Sequence, residues 1–209
     1  SCFEDFLRTF TAEKRKKARR ERRRIAESGI TFEHLDGHQI DDALWQQLMP
    51  LYASSFLRRG RNPYLNEDFF RRIAAALPDN LLVILARLRG DPVAAAICYR
   101  SADALYGRYW GSAGDIHSLH FEACYYQGID YCLREGLQVF EPGAQGEHKI
   151  ARGFLPVTTH SHHWLADPAF AAAVGDWCAQ ERQGTASYRQ SVLAHSPYRD
   201  DDPPAAASG

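Results

Sequence analysis

The chain has 209 residues, of which 45% are hydrophobic and 12% aromatic, enough for one globular domain with a sizeable core. Its net charge of −1 conceals an asymmetry, because nine basic residues and a single acid lie between Lys14 and Arg24. The five cysteines are odd in number and widely spaced, which argues against a disulfide framework, and the sequence has no apolar run of the ~18 residues that span a membrane, so we predict a cytoplasmic protein.

The first segment, residues 1–29, is predicted to be a basic helical arm. Residues 3–28 contain no Gly or Pro, and Gly29 follows as a helix-terminating residue. Because few apolar residues follow Thr11, we expect the arm to project into solvent or to lie along an anionic partner, such as tRNA or another nucleic acid, a nucleotide-linked precursor or a lipid head group. A solvated arm without a partner is the alternative.

Residues 30–195 are predicted to form one domain of alternating strands and helices. Strand-like patterns bounded by turn residues occur at 30–35, 81–88, 93–100, 104–110, 137–140 and 157–165. Helical patterns occur at 39–59, which Pro50 is expected to kink or divide, and at 66–77, 118–135 and 168–194. This order predicts an α/β (α+β) fold around a mixed, mostly antiparallel sheet, followed by a disordered tail over residues 196–209.

The densest group of reactive side chains follows the predicted buried strand 137–140. Within residues 141–156 the chain carries two carboxylates, an amide, an imidazole, an ammonium and a guanidinium, namely Glu141, Gln145, Glu147, His148, Lys149 and Arg152. Open α/β sheets tend to hold ligands at the carboxyl ends of their strands, so we predict that this connection lines a site. The alternative is a solvated loop with incidental charges.

Three runs resemble the signature of the FemAB-like family of peptidoglycan biosynthesis/recognition proteins, in the GNAT superfamily of N-acyltransferases. They are 105–111 (LYGRYWG), 119–127 (LHFEACYYQ) and 141–154 (EPGAQGEHKIARGF). The superfamily fold, a mixed and mostly antiparallel sheet with helices, agrees with the predicted order of elements. Family members are typically longer, so the resemblance implies a carboxyl-terminal half with a second GNAT-like half as its partner.

The resemblance implies transfer of an acyl or aminoacyl group to an amine of a peptidoglycan-like or related cell-envelope precursor. The implied donor is acyl-CoA, as in ordinary GNAT enzymes, or aminoacyl-tRNA, as in Fem-type relatives, and no tightly bound cofactor is expected. Residues 111–114 (GSAG) are the nearest approach to the GNAT pyrophosphate loop but lack its full pattern, which puts acyl-CoA in doubt. Residues 149–154 resemble a lysine-containing turn of the Fem-type enzymes.

Amide formation requires a neutral amine, a polarised carbonyl and a proton for the leaving group. The candidate catalytic bases are Glu147, His148 and Glu122, although Glu122 has a helix-surface alternative. Lys149 and Arg152 are predicted to stabilise an oxyanion or to hold a donor phosphate. The other predicted substrate-binding residues are Gln145, Glu141, Tyr126, His120, Trp110 and His160.

The predicted helix over 118–135 carries Glu122, Tyr126 and Asp130 at intervals of four residues, so these side chains lie on one common face. A zinc site at His148 and the histidines of 160–163 lacks ligand spacing, and we predict no metal. The alternative function is a non-catalytic binding or scaffolding half that uses its basic arm on an anionic partner.

Overall fold

A computed structural model of the chain describes residues 2–144 and 146–199. These residues fall into two compact units. The first consists of the described parts of 1–8 and 15–144, and the second of those of 9–14 and 145–209. The boundaries predicted from the sequence, at residues 29 and 195, stay a prediction.

The basic segment is helical but is preceded by a break. A short helix α1 (Phe3–Arg8) and the basic helix α2 (Ala12–Glu27) replace the single helix predicted over residues 3–28. Between them Phe10 forms an isolated antiparallel bridge with Tyr198, and the backbone N–H of Thr11 donates to the carbonyl of Pro197 at 2.8 Å. Because these backbone groups are used in the bridge, they are not available to a continuous helix.

The sheet has five strands in sequence order: β1 (Ile30–Leu35), β2 (Leu81–Leu88), β3 (Asp91–Arg100), β4 (Ala104–Ser112) and β5 (Val139–Glu141). All neighbouring pairs are antiparallel except β4 and β5, which are parallel. The predicted mixed, mostly antiparallel sheet is therefore confirmed, and β1 and β2 have the predicted bounds.

Two predictions about strands are wrong. The strand expected to be buried over 137–140 is the three-residue β5, whose Val139 is 38% exposed, while the preceding Leu137 is buried. Residues 157–165 form no strand, since they lack regular structure and are mostly exposed. An alternating sequence forms a stable strand only where a neighbouring strand satisfies its backbone groups, and 157–165 have none.

Alternation along β2 divides the core between the two faces of the sheet. Val83 and Leu85 pack against α3 (Asp42–Leu57) and α4 (Glu67–Ala76). Leu82 and Ile84 pack on the other face, toward the helical segment that contains Tyr131 and Cys132. Side chains of a strand alternate between faces, so an unbroken apolar strand such as β2 is covered on both sides.

The helical run after β4 begins with α5 (Leu119–Phe121), continues through a π-helical segment (Glu122–Tyr126) and ends with α6 (Gln127–Glu135). It agrees with the helix predicted over 118–135. The π segment adds one residue to a turn, a feature that is rare in α-helices and often found at functional positions.

Gly111 allows β4 to approach α3 closely. A Cβ atom at this position would lie 1.6 Å from the carbonyl oxygen of Leu51. The contact is completed by Ser54, whose Oγ accepts from the N–H of Ser112 at 3.1 Å. The helix that Gly111 contacts, α3, continues through Pro50, so the predicted division at this residue does not occur. Gly111 is thus a strand residue in close contact with a helix, and the donor that the GSAG segment bears on stays a prediction.

The last helix, α7 (Pro168–Leu193), agrees with the helix predicted over 168–194. Asp167 caps it by accepting from the N–H of Phe170 at 2.8 Å. None of its residues is buried, and Trp177 is 60% exposed. Within the described residues, no helix is both long enough and apolar enough to cross a membrane. Of the predicted tail, residues 200–209 lie outside the described residues, whereas Tyr198 takes part in the bridge to Phe10.

Candidate functional site

Four of the predicted site residues lie together in one 3-10 helix of the second unit, Glu147–Arg152, called the 147–152 turn. Two glycines with positive φ bracket it: Gly146 at 101° and Gly153 at 98°. A Cβ atom on Gly146 would lie 2.7 Å from Cε1 of His148. The GxxxxxxG spacing visible in the sequence therefore has a backbone reason, since only glycine adopts this conformation without strain and leaves room for the imidazole.

The turn presents cations and an imidazole within six residues. Arg152 is buried, at 3% exposure, and its Nη1 donates to the carbonyl of His148 at 2.6 Å. His148 is exposed as a residue, although its ring is partly shielded from water. This partial burial, together with the nearby Arg152 and Lys149, lowers the pKa of the ring below the ordinary 6.5. A neutral imidazole beside two cations can accept a proton while the cations attract an anion.

Glu147 is exposed and has a specific partner. Its Oε1 accepts from the hydroxyl of Tyr188 on α7 at 2.9 Å, and this bond raises the pKa of Tyr188. The pair holds one end of the turn to α7 within the second unit. A carboxylate in this position orients its neighbours as readily as it removes a proton.

Two described site residues, Glu141 and His160, lie outside the turn. Gln145 lies outside the described residues. Glu141 is exposed at the end of β5, in the first unit. His160 is exposed in the irregular segment that replaces the predicted strand. Their predicted contact with substrate stays a prediction.

Two predicted substrate-binding residues meet in the first unit. The rings of Trp110 on β4 and His120 on α5 lie 5.4 Å apart, and His120 also contacts Tyr125 edge-on at 5.3 Å. Tyr125 is 2% exposed, so its ring is packed in the core. His120 and Trp110 are partly accessible, so this pair is aromatic surface at the end of β4.

The predicted common face of Glu122, Tyr126 and Asp130 contacts α2. Arg22 donates to Oε1 of Glu122 at 3.2 Å and to Oδ2 of Asp130 at 2.7 Å. The hydroxyl of Tyr126 donates to Glu21 at 2.6 Å. The face exists as predicted, but it binds a helix of the same unit.

Glu122 is therefore neither a surface carboxylate nor an accessible base. It is 3% exposed, and its Oε1 also accepts from Nε2 of Gln127 at 2.8 Å. Among the described residues its Oε2 has no hydrogen-bond partner. Burial raises the pKa of Glu122 above the ordinary 4.5, although Arg22 and Gln127 favour the charged form. Tyr126, 1% exposed and bonded to Glu21, is likewise placed for packing rather than for substrate.

α2 does not project freely into solvent. Ala18, Glu21 and Ile25 are buried on one side of the helix, and Arg22 lies on the same side. The exposed cations of the helix include Lys16, Lys17, Arg20, Arg23 and Arg24. Arg22 is paired with Glu122 and Asp130 of the same unit, and the predicted anionic partner of the arm stays a prediction.

Sequence reasoning missed Glu21, Arg22 and Gln127. One signal was available for Glu21, because the single acid of the basic run falls between Ala18 and Ile25 at helical spacing. Arg22 gave no signal, since its carboxylate partners follow about a hundred residues later and sequence spacing does not report such pairs.

Thiol nucleophiles and metal ligands are the other reactive groups to consider among the described residues. Burial raises the pKa of Cys98 and of Cys132 to about 12, so neither thiol is a nucleophile at neutral pH. Among residues 2–144 and 146–199, no three His, Cys, Asp or Glu side chains are grouped closely enough to hold a metal ion.

Residues 1–200 match the FemAB-like family, described as peptidoglycan biosynthesis/recognition proteins. The match covers nearly the whole chain, and the chain therefore belongs to this family. The resemblance carried by the three sequence runs is confirmed. No curated protein matches the chain.

Solved structures show the GNAT fold. The chain is similar to L-PGS from Bacillus licheniformis, with 17% identity and a TM-score of 0.51 over 66% of this chain and 44% of that one. It is similar to an aminoglycoside acetyltransferase from an uncultured soil metagenomic sample, crystallised with sisomicin, with 9% identity and a TM-score of 0.50 over 68% and 99%.

A third similar structure is the C-terminal domain of a putative lysylphosphatidylglycerol synthetase from Agrobacterium fabrum, with 18% identity and a TM-score of 0.49 over 64% of this chain and 43% of that one. The chain thus spans less than half the length of this protein and of L-PGS.

Proposed function

We propose that the chain is an N-acyl- or aminoacyltransferase that forms an amide on an amine of a cell-envelope precursor. The observation that carries the proposal is the family match over residues 1–200. The GNAT fold supports it, because L-PGS and an aminoglycoside acetyltransferase share that fold. The polar 147–152 turn supplies the side-chain types that the reaction needs.

In the proposed reaction the amine nitrogen attacks the donor carbonyl, a C–N bond forms, and the ester or thioester bond breaks. His148 takes the proton that the nitrogen loses and passes it to the leaving oxygen or sulfur. Lys149 stabilises the carbonyl oxygen as it becomes negative, or holds a phosphate of the donor. The buried Arg152 fixes the His148 backbone and adds positive charge beside it, rather than offering its fork to the donor as predicted. Glu147 and Tyr188 keep the turn in place. Acyl-CoA and aminoacyl-tRNA are the two donors to distinguish.

The experiment is a single-turnover assay of the full chain with acetyl-CoA and with charged tRNA, each against a panel of amine acceptors. We expect one donor class to react and His148→Gln to lower the rate by about 10²–10⁴-fold. His195→Gln is the matched control, since His195 is an exposed imidazole of the same unit whose ring bonds the carbonyl of Ser191 in α7. Failure of both donors with every acceptor, or equal rates for both variants, would reject the proposal.

A second candidate function, a non-catalytic binding half, is favoured by the exposed cations of α2. Lys16, Lys17 and Arg20 lie opposite the buried stripe and leave a positive face open. Salt-dependent binding to tRNA that is lost when these three residues become Gln, combined with unchanged function in His148→Gln, would favour this candidate over the enzyme.

A further inference from the structure

A cavity of about 550 Å³ lies in the first unit, and none of the predicted site residues is among the residues that line it. It is formed where the end of β1, the start of β2 and the end of β3 meet the last turns of α6. Its volume falls within the range of small-molecule sites, roughly 300–1,000 Å³. The proposed function does not use it.

Two guanidinium groups in this cavity are positioned by one aromatic ring. The Cζ atoms of Arg100 and Arg134 lie 5.6 Å and 5.2 Å from the ring centroid of Tyr131. Nη1 of Arg100 also donates to the hydroxyl of Tyr131 at 2.6 Å. The buried ring thus holds both cations before any ligand arrives, which lowers the entropic cost of binding.

One carboxylate is paired with both guanidinium groups. Glu135 lies 3.6 Å from Nη1 of Arg100 and 3.2 Å from Nε of Arg134. Asp36 and Asp79 also line the cavity, where Asp36 caps a 3-10 turn and Asp79 is bonded to His38. Among the described residues only Glu135 lies within ion-pair distance of the two arginines, so these two cations share one paired carboxylate.

His34 connects the cavity to the interior of the unit. Nη2 of Arg134 approaches Nδ1 of His34 at 3.1 Å, and because arginine only donates, Nδ1 is the acceptor. The neutral ring then carries its proton on Nε2 and donates it to Oε1 of Gln127 at 3.0 Å. Gln127 in turn donates to the buried Glu122. The chain of hydrogen bonds has one direction, from Arg134 to Glu122.

We propose that this cavity binds a small molecule through an anionic group, a carboxylate or a phosphate, held between Arg100 and Arg134. The fork of arginine matches both anions. When Arg134 turns to the ligand it releases Nδ1 of His34, so the imidazole reports occupancy. Burial and Arg134 lower the pKa of His34, while Gln127, Asp130 and Glu135 oppose the shift.

The test is an NMR titration of the full chain with inorganic phosphate and, separately, with succinate, at constant ionic strength. We expect saturable shifts of the His34 ring signals with at least one of the two anions. The anion that saturates identifies the chemical class. Arg134→Gln, which alters a half-exposed side chain, is expected to weaken binding at least about tenfold.

Arg72→Gln is the matched control, because Arg72 is an exposed arginine of α4 that pairs with Asp68. Arg134→Lys is the second variant, since it keeps the charge but loses the fork, and weakened binding is expected there too. The proposal would be overturned if the His34 signals shifted linearly with the concentration of both anions, without saturation. It would also be overturned if Arg72→Gln weakened binding as much as Arg134→Gln does.

Discussion

Burial decides the protonation of Glu122 more strongly than its ion pair does. The folded chain raises the pKa of this carboxyl above 4.5, and an unfolded chain restores the ordinary value. The folded state therefore holds the proton more tightly than the unfolded state. Stability from this group is fully present at low pH and falls as pH rises through the unfolded pKa toward the folded one.

Glu122→Gln should remove this pH dependence. Because glutamine does not ionise, we expect the variant to gain stability relative to the wild type as pH rises from about 4 to about 7. The measurement is urea unfolding at several pH values. Glu27→Gln, at an exposed carboxylate of α2, is the control and should show no such trend. A stability difference independent of pH in Glu122→Gln would contradict the prediction.

Arg22 is expected to be the most costly charge to remove from α2. Arg22→Gln leaves the buried Glu122 without its cation, a change that costs about 3 kcal/mol at neutral pH. The loss should shrink in acid, where Glu122 is protonated. Arg20→Gln, on the exposed face of the same helix, should change the free energy of unfolding by less than about 0.5 kcal/mol. Equal losses in the two variants would show that the pair does not stabilise the fold.

The pKa of His148 should depend on the cations beside it. Lys149→Gln removes a positive charge that lowers this pKa, so the pKa of His148 is expected to rise. NMR titration of the ring protons measures it directly, and the acid limb of any activity profile should move to higher pH in parallel. Arg189→Gln, on α7, is the control. An unmoved titration curve in Lys149→Gln would mean that Lys149 does not contribute to the lowered pKa of His148.

At the scale of elements, the contact between β4 and α3 leaves no space for a side chain at Gly111. Gly111→Ala should cost at least about 3 kcal/mol, because the backbone oxygen of Leu51 occupies the position of the new methyl group. Gly114→Ala is the matched control: it lies in the next loop with open space around its Cβ position. Thermal unfolding of both variants checks the prediction, and a tolerated Gly111→Ala would show that the strand can move away from the helix.

Element predictions succeeded where the evidence was local. The bounds of β1, β2 and α7 follow from residues a few positions apart. The errors concern elements whose state depends on distant partners. The broken helix at Phe10 needs Tyr198, and the missing strand at 157–165 has no neighbouring strand.

At the scale of the whole molecule, features that depend on neighbouring segments could be predicted, and features that join distant segments could not. The fold class could be predicted because the strands pair in sequence order. The 147–152 turn was also visible, since its residues are contiguous. The network of Arg22, Glu122 and Gln127 and the cavity beside Tyr131 were not, because they join segments from α2, β1, β3 and α6.

The second unit is completed by a contact between residues near the two ends of the described chain. Phe10 is fully buried, and its ring meets that of Tyr198 edge-on at 5.2 Å, while the hydroxyl of Tyr198 donates to the carbonyl of Gly153 at 2.6 Å. We expect Phe10→Ala to cost about 3–5 kcal/mol. A double-mutant cycle with Tyr198→Ala should give a coupling of about 1 kcal/mol, and additive losses would deny the ring contact.

This contact has a consequence for biosynthesis. Phe10 is translated long before its bridging partner Tyr198. The strands β1 to β4, which pair with their sequence neighbours, can assemble during elongation, but the bridge between Phe10 and Tyr198 forms only after Tyr198 has been translated. Until then the aromatic ring of Phe10 lacks that one partner, so the second unit is expected to complete its folding later than the sheet of the first.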